Sequence, residues 1–276
     1  MAIEPIESVE PQDTTGNGDY LTRHLREMAP HRALLRAVEC RFMGRVSLTH
    51  PVLDVGCGDG HFASVAFTEP IDVGLDPMDR DLVEAATRRP AVYHDVVKGS
   101  ATGMPFPDGA FATVVSNCVI EHITDVDATL SEISRVLRPG GVFATTLPSE
   151  HYPEYLLGAT LARKAGFPKL GAAYGNFFNR ISHHEHVDPP DVWTARLAAV
   201  GLDVTEHAYY FSPRAHRVFD LAHYIGVPSL ISKRLTGNWV IHPVQAKVLE
   251  RWYRRYYEEP LPDEGAYQFV QCVKRG

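Results

Sequence analysis

The residues best suited to chemistry lie in the segment 52–60, which reads Val-Leu-Asp-Val-Gly-Cys-Gly-Asp-Gly. A short apolar run is followed by an acidic residue and by three alternating glycines, Gly56, Gly58 and Gly60. Glycine suits such a loop because it adopts positive φ and lets a ligand approach bare backbone. A helix beginning near His61 would present free N–H groups and a positive dipole end to that ligand. The pattern predicts a ligand-binding turn between a buried strand and a helix.

The spacing of these glycines disfavours two common nucleotide loops. A phosphate-binding loop needs Gly-x-x-x-x-Gly-Lys-Ser/Thr, which the sequence lacks. A nicotinamide or flavin loop needs Gly-x-Gly-x-x-Gly, whereas the third glycine here comes one residue early and residue 61 is His. Asp54, just before the loop, is a poor neighbour for a pyrophosphate and a better one for a cation. A nicotinamide-dependent oxidoreductase is kept as an alternative hypothesis.

Four further segments follow the glycine loop in a fixed order. They are 71–76 (Ile-Asp-Val-Gly-Leu-Asp), 104–111 (Met-Pro-Phe-Pro-Asp-Gly-Ala-Phe), 114–123 (Val-Val-Ser-Asn-Cys-Val-Ile-Glu-His-Ile) and 136–143 (Val-Leu-Arg-Pro-Gly-Gly-Val-Phe). The first is a predicted strand ending in Asp76, whose carboxylate could accept both ribose hydroxyls of a nucleoside. In order and spacing, residues 50–148 resemble the class I S-adenosylmethionine-dependent methyltransferases, in the small-molecule, ubiquinone-biosynthesis-like (type 11) branch.

The resemblance implies S-adenosyl-L-methionine as methyl donor and S-adenosyl-L-homocysteine as product. It also implies a set of cofactor-binding residues: Asp54, Gly56, Cys57, Gly58, Gly60, Asp76, Pro77, Ser100, Ala101, Asn117 and Cys118. One departure concerns the adenine, because the family usually has Gly-Asp-Ala where this chain has Gly99-Ser100-Ala101. Asp95 is a candidate replacement for the missing acid. The family's Phe-Asp pair is Phe111-Ala112 here.

Histidines are the candidates for catalysis. Methylating a hydroxyl requires removal of a proton, and His is the side chain best matched to neutral pH. His122 follows Glu121 at the predicted end of the fourth strand, beside the expected sulfonium, and a packing role is its alternative. The run 183–186, His-His-Glu-His, offers His183 and His186 as bases or substrate hydrogen-bonding groups, unless the loop only caps the next helix. No metal site is predicted, because alternate side chains of an extended segment point in opposite directions.

Composition indicates an ordinary globular enzyme. The 276 residues are 45% hydrophobic with a formal net charge of −7, which gives no support for nucleic-acid binding. No apolar run approaches the roughly 18 residues of a membrane span, and no signal peptide is expected, since the N-terminus is acidic. The four cysteines lack the spacing of a zinc site or a disulfide framework: Cys40, Cys57, Cys118 and Cys272. A cytoplasmic location is predicted.

Charge is distributed unevenly along the chain. Residues 1–19 contain five acids and no Lys or Arg, which predicts a disordered tail before a single domain at 20–276. Residues 213–258 contain eight Lys or Arg against three acids. Such a segment, with the aromatics Trp239, Tyr253, Tyr256 and Tyr257, could receive an anionic or amphipathic acceptor or touch a membrane surface. Its alternative is a solvated helix face.

The predicted strands and helices that position these residues indicate an α/β fold. Strands are predicted near 51–55, 71–75, 91–94, 112–117 and 142–147, with an antiparallel pair at 202–211 and 266–273 closing the sheet. Helices are expected from Leu21 until Pro30, over residues 34–42, from a cap at Thr124 to Gly140, and from the Asp-Pro-Pro-Asp at 188–191. The result is a doubly wound, Rossmann-like, seven-stranded sheet, mostly parallel with an antiparallel last strand.

Two insertions, at about 149–187 and 212–262, interrupt the series of strands and helices that this fold requires. The first leaves the carboxyl end of a strand, where ligands bind in such folds, and is expected to cover the pocket. In the second, apolar stripes are predicted at Val218, Leu221, Ala222 and Ile225 and at Val244, Val248 and Trp252. These helical lid insertions would shape the acceptor site.

The sequence predicts an S-adenosylmethionine-dependent methyltransferase acting on a small organic acceptor. Hydroxyl oxygen of a secondary metabolite, a glycosylated intermediate or a prenyl-lipid is the leading target, with nitrogen or carbon as alternatives. Residues 116–119 read Ser-Asn-Cys-Val, which lacks the Asn/Asp-Pro-Pro-Tyr/Phe element of enzymes that methylate DNA amino groups. A non-catalytic protein that binds S-adenosylmethionine is the second hypothesis.

Overall fold

The computed structural model describes residues 19–236 and 243–276. Residues 1–18 of the predicted tail at 1–19, and Trp239, lie outside the described residues. Asp19 was wrongly placed in the tail, because its carboxylate accepts the Thr22 N–H at 3.0 Å and caps the first helix. The described strands form one seven-stranded sheet. They are β1 (Val52–Val55), β2 (Ile71–Asp76), β3 (Tyr93–Lys98), β4 (Phe111–Asn117), β5 (Leu137–Pro148), β6 (Leu202–Tyr210) and β7 (Tyr267–Lys274).

The strand order is β3-β2-β1-β4-β5-β7-β6. Strands β1 to β5 are mutually parallel, and β7 is antiparallel to both β5 and β6. This confirms the predicted sheet, including the antiparallel last strand. The direction of winding reverses between β1 and β4, so a crevice opens beyond their carboxyl ends.

Helices cover the sheet. They are α1 (Tyr20–Glu27), α2 (Pro30–Met43), α3 (His61–Ala66), α4 (Asp79–Arg88), α5 (Val126–Val136), α6 (Tyr152–Tyr155), α7 (Leu157–Lys164), α8 (Pro168–Ile181), α9 (Pro190–Ala199), α10 (Pro213–Thr236) and α11 (Pro243–Tyr257). Within the described residues, no helix is both long enough and apolar enough to cross a membrane.

Several predicted helix boundaries are wrong for local reasons. Pro30 does not simply end the first helix but opens α2, because proline fits a first turn whose N–H needs no partner. Asp125, not Thr124, caps α5, since its carboxylate accepts the Ala128 N–H at 3.0 Å. That helix ends before Leu137, where β5 begins, so Gly140 lies within the span of β5 instead of ending α5.

The third predicted strand is displaced along the chain. It was expected at 91–94 but runs from Tyr93 to Lys98. A turn occupies the earlier positions, in which the Val92 N–H donates to the Arg89 carbonyl. This shift matters for the site because it moves the carboxyl end of β3 to Lys98.

The first insertion contains α6, α7 and α8, and the second contains α10 and α11. α10 packs on α2, and α11 packs on α1 and α2. Of the second predicted stripe, Trp252 packs partly buried against the core, but Val248 is 63% exposed, whereas Tyr253 and Tyr257 are buried. The side chains of Ile225 and Val244, also predicted, lie outside those described. Each step of one residue along a helix rotates the side-chain direction by about 100°. As a result Tyr253 and Tyr257 point towards the core and Val248 does not. Leu221, predicted to be buried, is also exposed.

The core lies on both faces of the sheet. On one face Phe42 of α2 packs between Tyr210 and Phe269, with ring centroids 5.0 and 5.3 Å away. On the other, Ile133 of α5 and Trp193 of α9 are buried against the central strands. These layers hold the carboxyl ends of β1 and β4 in place.

Candidate functional site

A cavity of about 840 Å³ opens at the crevice between β1 and β4. Its walls come from the loop after β1, the residues after β4, the α1–α2 region and α4. Six of the predicted cofactor-binding residues line it: Asp54, Gly56, Cys57, Gly58, Asn117 and Cys118. The fold therefore assembles one concave site from segments far apart in sequence.

Residues 56 and 58 of the first loop are glycines for two different structural reasons. Gly56 has φ +76, and a Cβ there would come within 2.4 Å of the Val119 side chain. Gly58 has φ +52, but a Cβ there would meet nothing within 4 Å. No neighbouring atom excludes a side chain at residue 58. The Gly58 backbone therefore faces open space in the cavity, where a ligand can approach.

Asp76 braces this loop from the end of β2. Its carboxylate accepts the Gly58 N–H at 3.0 Å and the Met78 N–H at 2.9 Å. Asp76, Pro77 and Gly60 do not line the cavity. Each Asp76 oxygen keeps a second lone pair, so a ligand hydroxyl can still be accepted.

Asp54 is the buried charge on the cavity wall. It is 7% exposed and accepts a hydrogen bond from the Tyr93 hydroxyl at 2.7 Å. Burial raises the pKa of Asp54 to about 6, against the opposing effect of the Tyr93 bond. A cationic ligand would favour its ionised form.

The end of β4 is held by a residue that sequence reasoning missed, Glu39 of α2. Its buried carboxylate accepts hydrogen bonds from the Asn117 amide at 2.8 Å and from the Cys118 thiol at 3.2 Å. Arg36 pairs with it at 2.5 Å. Cys118 has φ 49, a conformation that non-glycine residues rarely adopt and that often marks functional sites. The only sequence signal was the charged residues in an otherwise apolar helix.

The predicted adenine loop lies apart from this cavity. Ser100 and Ala101 do not line it, and the Ser100 hydroxyl lies 2.8 Å from that of Thr102. Asp95 is not in the loop, because it pairs with Val73 inside β3. At about 3.3 Å per residue, Asp95 sits well short of the strand end. The suggested replacement of the family's acid by Asp95 is therefore wrong.

His122 lies in a 3₁₀ turn, Ile120–His122, directly after β4. Its side chain is 38% exposed, and its Nε2 is 3.7 Å from the buried carboxylate of Glu121. Burial lowers the pKa of His122, and burial raises the pKa of Glu121 to about 8. A neutral imidazole with an adjacent acid can take up a proton.

Hydrogen bonds of the loop hold the side chains of the run 183–186 in different directions. The backbone N–H groups of Glu185 and His186 both donate to the Glu121 carbonyl, at 2.9 and 3.1 Å. The His186 ring then faces the Ile123 carbonyl, and His183 adopts a φ of 55. None of His122, His183 and His186 lines the cavity. His184, which was not chosen from the sequence, is the member whose ring stacks against His122, with centroids 5.3 Å apart.

Arginines of α1 and α2 form another part of the cavity wall that the sequence did not reveal. Arg26 and Arg32 line it, and no ion pair of either residue occurs among residues 19–236 and 243–276. Arg89, across the cavity, is paired with Asp59 at 3.2 Å. The first insertion contributes no residue to this lining, so α1 and α2 close this cavity.

Known proteins are similar in sequence to the central part of this chain. Residues 53–145 match a family model described as a methyltransferase domain. The sterol 24-C-methyltransferase of Aspergillus fumigatus is 43% identical over 99 residues, 33% of this chain and 26% of that protein. The malonyl-[acyl-carrier protein] O-methyltransferase of Serratia marcescens is 34% identical over 113 residues, 40% of this chain and 44% of that protein. The chain thus spans less than half the length of these curated relatives.

Solved structures share the fold. Phosphoethanolamine N-methyltransferase 2 of Haemonchus contortus, in complex with S-adenosyl-L-methionine, superposes with a TM-score of 0.52 at 17% identity. The match covers 89% of this chain and 52% of that one. The three names specify carbon, oxygen and nitrogen acceptors, so the shared part does not by itself determine the acceptor atom.

Proposed function

We propose, from the premise that residues 53–145 form a class I methyltransferase domain, that the chain transfers a methyl group from S-adenosyl-L-methionine to a small organic acceptor. The observation that carries the proposal is the open face of Gly58 beside the buried carboxylate of Asp54, at the crevice between β1 and β4. Bare backbone next to a desolvated anion suits a nucleoside ligand that carries positive charge.

The chain's own residues would hold the methyl donor by charge and shape. Asp54 would pair with the ammonium group, and Asp76 at the end of β2 would accept ribose hydroxyls while bracing Gly58. Asn117 and Cys118, locked to Glu39, would form the wall nearest the sulfonium. Alignment of acceptor and methyl carbon can contribute about 7–11 kcal/mol to lowering the barrier.

A hydroxyl acceptor is favoured by His122. Its exposed ring and the adjacent buried Glu121 could remove the proton that an alcohol or phenol must lose. His183 and His186 stay the other candidate bases expected from the sequence. Nitrogen and carbon acceptors need no such base and stay as alternatives.

An anionic group on the acceptor is supported by Arg26 and Arg32. Both line the cavity without an ion pair among the described residues, whereas Arg36 and Arg89 are paired. The basic segment 213–258 gives weaker support, because Arg254 is engaged by Asp19 and Glu250. A single domain at 20–276, a cytoplasmic location and membrane contact through 212–262 stay predictions.

Two other functions are kept for testing. A non-catalytic binding protein would keep the Gly58 surface and the cofactor without turnover. A nicotinamide-dependent oxidoreductase is disfavoured by the early third glycine.

Gly58→Ala tests the proposal directly. Its Cβ would occupy the ligand's space, so affinity for S-adenosylhomocysteine measured by calorimetry should fall by on the order of tenfold or more. Gly109→Ala is the matched control, because Gly109 has a similar φ of +63 far from the cavity. Both variants should lose about 1–2 kcal/mol of stability from the left-handed conformation.

The outcomes separate the hypotheses. Wild-type binding that is lost only in Gly58→Ala, together with transfer of a labelled methyl group to an acceptor in a screen, supports the proposal. Binding without transfer to any acceptor supports the non-catalytic protein. No binding of S-adenosylmethionine or S-adenosylhomocysteine by the wild type overturns the proposal, and a nicotinamide titration then tests the oxidoreductase.

A further inference from the structure

Three side chains of the metal-binding type meet where the first insertion touches the end of β4. Glu121 and His122 lie in the turn after β4, and His184 lies in the loop after α8. One ligand atom from each lies within 4.8 Å of the other two. The sequence places His184 more than sixty residues away, so only the fold assembles this set.

Both imidazoles can present an unprotonated Nε2. The Nδ1 of His122 lies 3.0 Å from the His183 carbonyl, which can only accept, so this nitrogen carries the proton. The Nδ1 of His184 likewise lies 3.4 Å from the Asn179 amide oxygen. Each ring therefore keeps the lone pair on Nε2. A hydrogen bond from the other ring nitrogen to a carbonyl is the usual support of a metal-bound histidine.

The carboxyl group of Glu121 gives a second observation at this cluster. Its side chain is 1% exposed, yet its Oε2 has no hydrogen-bond partner. A buried polar atom without a hydrogen-bond partner is costly. The neighbouring cation, Arg36, is already paired with Glu39 at 2.5 Å. A divalent ion would supply the charge that the protein's own residues do not.

We propose that Glu121, His122 and His184 bind one divalent first-row transition metal ion, of the Zn²⁺ type. Two neutral imidazoles and a carboxylate suit such an ion better than Mg²⁺ or Ca²⁺, which prefer oxygen ligands. Bond lengths of about 2.0–2.2 Å require the ligand atoms to move closer together, and the two rings, now stacked at 29°, to rotate until both Nε2 lone pairs face one ion. Three protein ligands leave a coordination position open, and the exposed edge of His122 gives access to it.

The ion would join the insertion to the sheet. The loop that carries His184 is already fastened to Glu121 by the two backbone hydrogen bonds from Glu185 and His186. Metal binding would add a second connection between the same segments and so stabilise the folded chain. Binding of the ion does not depend on the proposed methyl transfer, but while the ion holds the His122 Nε2, that nitrogen cannot also act as the base proposed for a hydroxyl acceptor.

The test uses the full chain without an affinity tag, stripped of metal with a chelator and titrated with Co²⁺. The wild type should bind one equivalent and develop visible d–d absorption, and Zn²⁺ should displace it. His184→Gln and Glu121→Gln should each weaken binding by about tenfold or more. His94→Gln, a control at an exposed histidine of β3, should bind as the wild type does.

Circular dichroism identifies any variant that fails to fold, and His122→Gln, at the most exposed ligand, then serves as the second variant. The proposal is overturned if the wild type shows no stoichiometric Co²⁺ spectrum. It is equally overturned if the folded ligand variants bind Co²⁺ as tightly as His94→Gln. Because Co²⁺ alone is the probe, failure here leaves the Gly58 experiment unaffected.

Discussion

Asp54 introduces a charge into a strand whose other residues are apolar. All four residues of β1 are buried, and Asp54 is satisfied by one hydroxyl, that of Tyr93. A single neutral donor does not replace the hydration that a carboxylate loses on burial. Its pKa is raised to about 6 for that reason. This arrangement holds an anion ready for a cation in the cavity.

We expect the affinity for S-adenosylmethionine to depend on pH through Asp54. Because its pKa of about 6 lies above the usual 3.8, the carboxyl becomes neutral as the pH falls through 6 and loses its attraction for the ligand. The dissociation constant measured by calorimetry should therefore rise by up to about tenfold per pH unit below pH 6.

Asp54→Asn provides the control for this dependence. It keeps the shape of the side chain but removes the titration, so binding should be weak and nearly independent of pH over the same range. If the variant keeps the wild-type slope, another group, such as His61 on the cavity wall, is responsible.

At the scale of elements, the two insertions are joined through Asp220. This residue of α10 is fully buried, and its carboxylate accepts the Tyr174 hydroxyl of α8 at 2.9 Å and the Gly158 N–H of α7 at 3.2 Å. α10 in turn packs on α2, whose Glu39 holds the end of β4. The position of the insertion helices is thus connected to the site through one buried acid.

Asp220→Ala should lower the free energy of unfolding by about 1–3 kcal/mol, because it leaves the Gly158 N–H without its acceptor and the Tyr174 hydroxyl with Tyr224 as partner. Urea denaturation measures this loss. Tyr174→Phe should show a smaller loss, since it removes only one donor. Asp95→Ala, at an exposed position of β3, should leave the urea midpoint nearly unchanged. An Asp220 variant as stable as the wild type would show that the insertions are held by other contacts.

At the scale of the molecule, the cavity brings together four separated parts of the chain. Its lining runs from Arg26 to Arg36, through 54–62 and 80–89, to Asn117–Val119. A ligand that contacts all four would bind the folded chain and not the unfolded one. Ligand occupancy and global stability are therefore linked.

S-adenosylhomocysteine at about one hundred times its dissociation constant should stabilise the wild type by about 2.7 kcal/mol. A thermal unfolding scan with and without the ligand measures the effect as an upward shift of several degrees. Gly58→Ala should show little shift at the same concentration, and Gly109→Ala should shift as the wild type does. Equal shifts in all three proteins would contradict binding at this cavity.

The sequence by itself determined the frame of the site. The β1 strand, the glycine turn and the acid at the end of β2 were predicted correctly, as was the antiparallel pair of β6 and β7. These features depend on local rules: alternation and apolar runs define strands, and glycine spacing defines the turn. The order of the motifs also predicted which strand ends carry the candidate ligand-binding groups.

Only the tertiary structure decided what surrounds that frame. In the folded chain Glu39 holds Asn117 and Cys118, and α1 and α2 form a wall of the cavity. His184, and not His183 or His186, lies beside Glu121. It also removed Asp95 from the adenine loop by extending β3. These outcomes depend on contacts between residues far apart in the chain, and a one-residue change in helix face or strand boundary reverses which side chain points inward.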